Sequence, residues 1–350
     1  MVSFPNARDR HPFYMHSMIR AQPEFIRETM TRVRPRDAER IRSPSSHLIV
    51  TGCGTSFHAA MYGARVLQAT ARPGEVVEAV QAFDLAYGPA PRKAAILGVS
   101  HSGSTPTTNR ALARAKRAGL RTIGMCGLPD SRMEGIVDDV LVIGSKHDRS
   151  WANTMSYTTQ LSAFAALASL RGRGTGPPRR VVQSLPALVR KALLTESPIR
   201  RLAARLLRLE RVTFLATGLD EVTTLEAALK IRETCGVTAS GYHTEQFLHG
   251  PFLSLEKKDA VVLLLAKEGK ARASEIRQAL VATGATVATL GDDPRARIRL
   301  PRAHPFLRPI VSIVPMQFLA YYVALGRDSN PDIMRTDRVR FRAGVEALFH

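Results

Sequence analysis

The stretch GVSHSGSTPTT at residues 98–108 gathers serine and threonine hydroxyls around His101, directly after the apolar run AAIL. Thr105 is a good N-cap and Pro106 a good first helical residue, so a helix is predicted to begin there and to end at Gly119. Free N–H groups at a helix start, with hydroxyls and the permissive Gly103 beside them, could bind a phosphate. The simpler alternative is a polar turn that caps a helix.

A second group of candidate residues lies in TTLEAALKIRETCG at residues 223–236. Glu226, Lys230 and Glu233 are spaced four and three apart, which places them on one face of a helix. The ordinary explanation for this spacing is a salt-bridged stripe on a solvated helix face. Alternatively, a carboxylate near the helix end could act as a base that moves a proton between neighbouring carbon atoms.

Other common sites are not indicated by the sequence. The serine-rich loop lacks the lysine and spacing of a nucleotide P-loop, and GCGTS at residues 52–56 lacks the third glycine of a dinucleotide fingerprint. The three cysteines, Cys53, Cys126 and Cys235, contain no CxxC pair, which favours small core or helix-end residues over a disulfide or a zinc site. We predict neither a metal nor an organic cofactor.

The elements that would position these residues occur twice along the chain. HLIVTGCGTS from His47 resembles VTFLATGLDE from Val212, and each reads as a buried strand that breaks at glycine. The segments that start at Lys93 and Lys258 both read as strand, polar loop, helix, glycine and strand. Alternation of strand and helix predicts an α/β fold with two tandem, doubly wound parallel sheets of the flavodoxin-like kind. Such sheets bind ligands beyond the carboxyl ends of their strands, where the serine-rich loop lies.

Composition shifts suggest where the domains begin and end. Residues 1–46 are predicted as a helical segment with one helix, EFIRETMTRV, that begins after Pro23. Residues 47–172 and 173–330 are predicted as the first and second domains, and residues 331–350 as a C-terminal tail. The glycine- and proline-rich run RGRGTGPPRR at residues 171–180 is the predicted linker.

Charge and hydropathy bear on the partners of the chain. The net charge is +20 with a pI near 10.8, but the arginines are spread along the chain and the densest patches lack interleaved aromatic residues. This pattern favours an electropositive surface that attracts anionic metabolites over nucleic-acid binding.

No secretory signal is evident in the sequence. Apolar runs such as AVVLLLA from Ala260 are shorter than the ~20 residues of a membrane helix. A soluble cytoplasmic protein without membrane contact is therefore expected.

Four motifs in order along this repeated pattern resemble a known family. GCGTS after a strand, SHSGST, EAALKIRETCG and HGP are similar to the tandem sugar isomerase (SIS) domains, as in the isomerase half of glucosamine-6-phosphate synthase and in related sugar-phosphate deaminases and deglycases. The resemblance extends from about Met15 to near residue 334, which is almost the whole chain.

The resemblance implies a sugar-phosphate site. The family's serine-rich loop holds the phosphate, and the glycine turn after the first strand meets the sugar, as does the segment that matches WANTMSYTTQL. The implied binding residues are Thr55, Ser56, Ser100, His101 (through its backbone), Ser102, Thr105, Asn153 and Thr154. For Asn153, simple structural filling is an equally good explanation.

The resemblance also implies the catalytic residues. Glu233 would be the base that shuttles a proton between adjacent carbons through an enediol, with Lys230 beside it. His249 matches the histidine that opens the sugar ring, a task suited to a group that titrates near neutral pH. In the family this histidine comes from the neighbouring subunit, which implies a homodimer with shared active sites. Alternatively, His249 is a hydrogen-bonded loop residue before Pro251.

Two departures from glucosamine-6-phosphate synthase shape the predicted function. The chain begins at Met1 and enters the sugar domain directly, so glutaminase activity is not expected, and the tail has Arg335 or Thr336 near the position of the family's tail lysine. Arginine rarely loses its proton, which disfavours imine formation there. With these departures, the resemblance favours deamination, deglycation or isomerisation of a phosphorylated amino sugar or fructosamine. The alternative is a non-catalytic sugar-phosphate sensor that acts through a protein partner.

Overall fold

A computed structural model describes residues 7–43, 45–172, 174–266, 270–333 and 335–349. Within these residues the chain forms two five-stranded parallel sheets with helices packed around them. The strands are β1 (His47–Thr51), β2 (Val76–Ala79), β3 (Ala95–Ser100), β4 (Arg121–Cys126), β5 (Asp139–Val142), β6 (Arg211–Ala216), β7 (Thr238–His243), β8 (Asp259–Leu265), β9 (Thr286–Gly291) and β10 (Ile298–Arg299).

Helices precede, separate and follow these strands. The helices of the first half are α1 (Tyr14–Arg32), α2 (Pro35–Arg40), α3 (Thr55–Gln68), α4 (Ala82–Tyr87), α5 (Pro106–Arg117) and α6 (Thr154–Arg171). Those of the second half are α7 (Arg179–Gln183), α8 (Leu185–Ala192), α9 (Glu196–Leu206), α10 (Glu221–Cys235), α11 (Thr244–Leu248), α12 (Lys270–Ala282), α13 (Arg308–Gly326) and α14 (Val339–Phe349).

Both sheets have the same topology. The first sheet has the order β2-β1-β3-β4-β5, and the second has β10-β9-β8-β6-β7, which is the same order read from the other edge. This is the doubly wound order of flavodoxin-like folds. The matched glycines Gly119 and Gly284 have φ values of +74° and +83° and stand before β4 and β9 in turn. The predicted α/β class with two parallel sheets is therefore confirmed.

Continuous apolar runs account for the central strands. All six residues of β3 and all seven of β8 are buried, as expected for strands that are covered by helices on both faces. The largest hydrophobic cluster joins the inner faces of both sheets with α1, α3, α6, α8, α9, α10 and α13. Two smaller clusters cover the outer faces, one on the first sheet and one on the second. The two halves thus share one helical layer, in which α3 of the first half packs against α10 of the second.

The N-terminal helix differs from its prediction. It begins at Tyr14, nine residues before Pro23, and Pro23 lies inside it. A proline inside a helix removes one hydrogen bond and costs about 3 kcal/mol. Contact with α6 and α8 along a buried stripe outweighs this cost. The stripe consists of Met15, Ile19, Gln22, Ile26 and Thr29. The prediction of a single helix before the first strand is also wrong, because the short helix α2 follows.

Helix α13 overturns the expectation that every apolar run is short. The helix has 19 residues, and an 18-residue window within it has a mean hydropathy of 1.5. By length and composition alone it could cross a membrane. However, 83% of this window is buried inside the fold, where α13 packs against α9 and α10. Ser312, Pro315 and Gln317 interrupt the run in the sequence and are buried with it. The helix is part of the protein core.

The C-terminal tail is tied to the first helix. Asp332 is buried, and its two carboxylate oxygens accept hydrogen bonds from the backbone N–H groups of Tyr14 at 2.6 Å and Met15 at 2.9 Å. These are unpaired donors at the start of α1, so Asp332 acts as a cap supplied from the other end of the chain.

We expect Asp332→Ala to lower the free energy of unfolding by about 2 kcal/mol, because two N–H groups lose a charged acceptor. Urea denaturation followed by circular dichroism measures this loss. Asp337→Ala, which removes an exposed carboxylate from the same tail, is the matched control and should change stability little. Equal effects of the two substitutions would show that the cap contributes nothing.

Candidate functional site

The centre of the candidate site is a lysine with no solvent exposure. Lys230 lies on α10, and its ammonium group contacts four oxygens. Its Nζ is 2.6 Å from Glu233 Oε2, 3.2 Å from Glu226 Oε1, 3.1 Å from Thr55 Oγ1 and 2.6 Å from the carbonyl oxygen of Ala152. An ammonium group has three protons to donate, so these contacts leave none unpaired.

The expectation of a solvated salt-bridged stripe is wrong, because Glu226 and Lys230 are both fully buried. Burial alone would raise the pKa of Glu226, but Lys230 and His58 outweigh burial and hold it below the ordinary carboxyl value. Burial would likewise lower the pKa of Lys230, but the two glutamates raise it above the usual value. Both groups are therefore charged at neutral pH, as an ion pair inside the fold.

Of Glu226, Lys230 and Glu233, only Glu233 reaches solvent. Its side chain is 20% exposed, whereas those of Glu226 and Lys230 are not exposed. Burial raises the pKa of Glu233 above the ordinary carboxyl value, while Lys230 opposes the rise. A carboxylate with a raised pKa that is fixed by an ammonium at 2.6 Å has the properties of a positioned general base.

The start of α3 supplies the opposite wall of the cluster. Thr55 is buried and donates from Oγ1 to Glu226 Oε1 at 3.0 Å, while His58 Nδ1 lies 2.7 Å from Glu226 Oε2. Ser56 is half-buried, and its hydroxyl accepts a hydrogen bond from Gln160 Nε2 at 3.1 Å. Sequence reasoning missed the contribution of His58. The only signal for it is its place three residues after Thr55, on the same face of the helix.

Glycine is required at the turn that leads into α3. A Cβ at Gly52 would lie 2.8 Å from the backbone of Ser56, and Gly54 has a φ of +54°. The first constraint is steric and the second is conformational, and together they explain why GCGTS carries two glycines.

The serine-rich loop lies where it was predicted, between the carboxyl end of β3 and the start of α5. Ser102 and Ser104 are exposed, while Ser100 is buried and its hydroxyl is 2.9 Å from Thr105 Oγ1. Thr105 has the extended backbone of an N-cap, but its hydroxyl bonds to Ser100 instead of capping α5. The loop therefore presents the hydroxyls of Ser102 and Ser104 at a helix start, which is a geometry that suits an anion.

His101 has a structural role within this loop. Its ring is mostly buried, and its Nε2 accepts a hydrogen bond from the backbone N–H of Asp148 at 3.0 Å. Burial, with a smaller contribution from His147, lowers the pKa of His101 to about 4. The ring packs so closely on Gly127 that a Cβ there would lie 2.2 Å from its Nδ1. His101 is thus neutral and joins the serine-rich loop to the segment after β5.

The segment from β5 to α6 completes the site. Asp148 accepts hydrogen bonds from the backbone N–H groups of Ser150 at 3.1 Å and Ser156 at 2.9 Å, and burial raises its pKa to about 6. Asn153 has a left-handed backbone with a φ of +52° and is partly exposed. Thr154 is fully buried, so of this predicted pair only Asn153 lies at the surface.

His249 lies apart from the cluster. It is an exposed residue at the C-terminal end of α11, in the second half of the chain. Among the described residues, no hydrogen bond or ion pair joins it to Lys230, Glu226 or Glu233. No group of three or more histidine, cysteine or acidic side chains in the described ranges could hold a metal ion.

Comparison with known proteins finds a matching domain family and relatives of similar sequence and fold. Residues 41–170 match the SIS domain family. A glutamine–fructose-6-phosphate aminotransferase (isomerizing) of Pyrococcus horikoshii is 31% identical over 339 residues, which cover 91% of this chain and 56% of that protein. The chain thus spans little more than half the length of this relative.

Two solved structures share the fold. The C-terminal domain of glucosamine-fructose-6-phosphate aminotransferase from Francisella tularensis superposes with a TM-score of 0.81 at 22% identity, covering 93% of this chain and 99% of that one. Glucosamine-6-phosphate deaminase from Thermotoga maritima gives 0.77 at 21% identity, covering 92% of this chain and 97% of that one. Residues 41–170 of this chain thus match an SIS domain, and the chain shares the fold of these two structures.

Proposed function

We propose that this chain is a sugar-phosphate enzyme that couples aldose–ketose isomerisation to deamination or deglycation of a phosphorylated amino sugar or fructosamine. The observation that carries this proposal is Glu233, a partly exposed carboxylate that is fixed by the buried Lys230. Isomerisation needs a base that takes a proton from one carbon and returns it to the next. One carboxylate can perform both steps when it is held beside the two carbons.

The remaining parts of the site support the same proposal. The exposed hydroxyls of Ser102 and Ser104 at the start of α5 would hold the phosphate, and Thr105 and Ser100 would hold the loop in shape. Lys230 has all its protons engaged and no exposure, so we assign it to positioning Glu233 instead of direct contact with the sugar.

The names of similar proteins support the substrate class. The Pyrococcus horikoshii relative is named for fructose 6-phosphate, and the Thermotoga maritima structure for glucosamine 6-phosphate. Both compounds are phosphorylated hexoses, one with an amino group. We propose that residues 173–330 form a second SIS domain, because the second sheet repeats the strand order of the first.

We also propose a homodimer in which His249 crosses to the neighbouring active site. Its exposure at the end of α11 supports this arrangement, since the side chain is free to enter a partner's cleft. A histidine there would open the sugar ring by proton transfer near neutral pH.

Glu233→Gln should lower the rate of solvent-deuterium exchange at the carbon next to the sugar carbonyl by ~10²-fold or more, because it removes the base and keeps the shape of the side chain. NMR of glucosamine 6-phosphate in D₂O measures this rate. Glu24→Gln, at an exposed site on α1, is the matched control and should exchange normally. Unchanged exchange in the Glu233 variant would reduce this residue to a structural ion-pair partner.

Ser102→Ala should weaken binding of a sugar phosphate about tenfold, because a hydroxyl is lost from a charged acceptor, and should slow the bound complex much less. The comparison of KM with kcat separates the two effects. Ser254→Ala removes an exposed serine from a 3-10 turn of the second half and should change neither constant. An effect on kcat alone would place the phosphate elsewhere.

Co-expression of His249→Ala with Glu233→Gln chains should restore part of the activity that each variant lacks alone. Each mixed dimer would hold one site with both groups intact, with Glu233 from the His249→Ala chain and His249 from the Glu233→Gln chain. Differently tagged chains, purified over both tags, provide the mixed dimers for assay. If verified mixed dimers remain inactive, His249 does not cross between subunits.

A further inference from the structure

A cleft of about 570 Å³ lies between the C-terminal half of α1, the C-terminal turn of α6 and the helices α7 and α8. It does not include any residue of the candidate active site. We propose that this cleft binds a small organic anion with an aliphatic body, as a second ligand site of the chain.

The charge of the cleft points to an anion. Four arginines line it, Arg27 and Arg34 from the end of α1 and its following turn, and Arg179 and Arg190 from α7 and α8. All four are exposed, none forms an ion pair with a described carboxylate, and the described part of the lining contains no acidic residue. By contrast, Arg32 on the same helix pairs with Glu28 at 2.9 Å. Four uncompensated guanidinium groups around one opening would attract a carboxylate or phosphate.

The interior of the cleft is apolar and contains one unpaired hydroxyl. Met30, Leu170 and Pro186 line it, and each comes from a different helix. Ser169 stands between these residues on α6, and its buried Oγ has no hydrogen-bond partner among the described atoms. Buried hydroxyls are normally hydrogen-bonded, so a polar atom of a ligand would satisfy this one.

The lining also indicates what kind of body the ligand carries. Among the described residues that line the cleft none is aromatic, so a nucleobase would find no ring on which to stack. Aliphatic side chains beneath a ring of arginines suit an alkyl chain with an anionic head. The volume lies within the usual range for small-molecule sites, which is roughly 300–1,000 Å³.

This site is distinct from the cluster around Lys230. Helix α6 begins at Thr154, two residues after Ala152, whose carbonyl oxygen contacts Lys230 Nζ, and Ser169 lies fifteen residues after Thr154 on this helix. At 1.5 Å per residue, these positions are roughly 22 Å apart. The proposal therefore stands or falls independently of the proposed sugar-phosphate activity.

Isothermal titration calorimetry of the full chain with decyl phosphate, below its micelle concentration, tests the proposal. We expect binding at one site per chain, and much weaker binding of decanol and of inorganic phosphate. The double variant Arg27→Gln/Arg190→Gln should raise the Kd about tenfold or more, because two charged contacts are lost. Ala187→Trp should also raise the Kd by filling the cleft without changing its charge.

Arg208→Gln is the matched control, since Arg208 is exposed, lies outside the cleft and should leave the Kd unchanged. Four outcomes would overturn the proposal. They are no binding of decyl phosphate, equal affinity for decanol, equal affinity for inorganic phosphate, and equal weakening by Arg208→Gln. Circular dichroism of each variant verifies that it is folded.

Discussion

The buried charge of Lys230 is the interaction on which the rest of the site depends. Transfer of an ammonium group out of water costs several kcal/mol unless oxygens replace the water around it. Here Glu226 and Glu233 from α10, Thr55 from α3 and the carbonyl of Ala152 supply those oxygens. Two of these groups come from the first half of the chain, so α10 of the second half must lie against α3 and the segment before α6. Removal of one partner from such a cluster typically costs about 3–5 kcal/mol.

The same constraint extends outward to the surfaces that would meet a ligand. Ala152 holds the segment that contains Asp148, and the backbone N–H of Asp148 donates to the neutral ring of His101 in the serine-rich loop. A contiguous set of contacts thus joins Lys230 in the interior to the exposed hydroxyl of Ser102. The base candidate Glu233 and the serine-rich loop are therefore connected by one network of contacts.

Local patterns in the sequence were enough to predict the sheets, the loop after β3 and the bounds of α5, because buried strands, Pro106 and Gly119 act over a few residues. The helical spacing of Glu226, Lys230 and Glu233 gave the shared face but not its burial, since burial depends on what packs against that face. The partner of His58 is Glu226, 168 residues away, and no local signal encodes such a pairing. Tertiary packing likewise set the start of α1, and it gave α13 its place in the core despite the polar residues within it.

The claim that this site moves a proton on a sugar phosphate is tested most directly with the unaltered chain. Fructose 6-phosphate is incubated with it in D₂O, and NMR follows deuterium entry at C1 from acidic to neutral pH, alongside a separate binding titration. Since Glu233 acts as a base only when ionised and burial raises its pKa, we expect exchange to rise with pH through an ionisation above the ordinary carboxyl range. Binding of the sugar phosphate without deuterium entry at any pH would contradict the account and indicate a sensor instead of an enzyme.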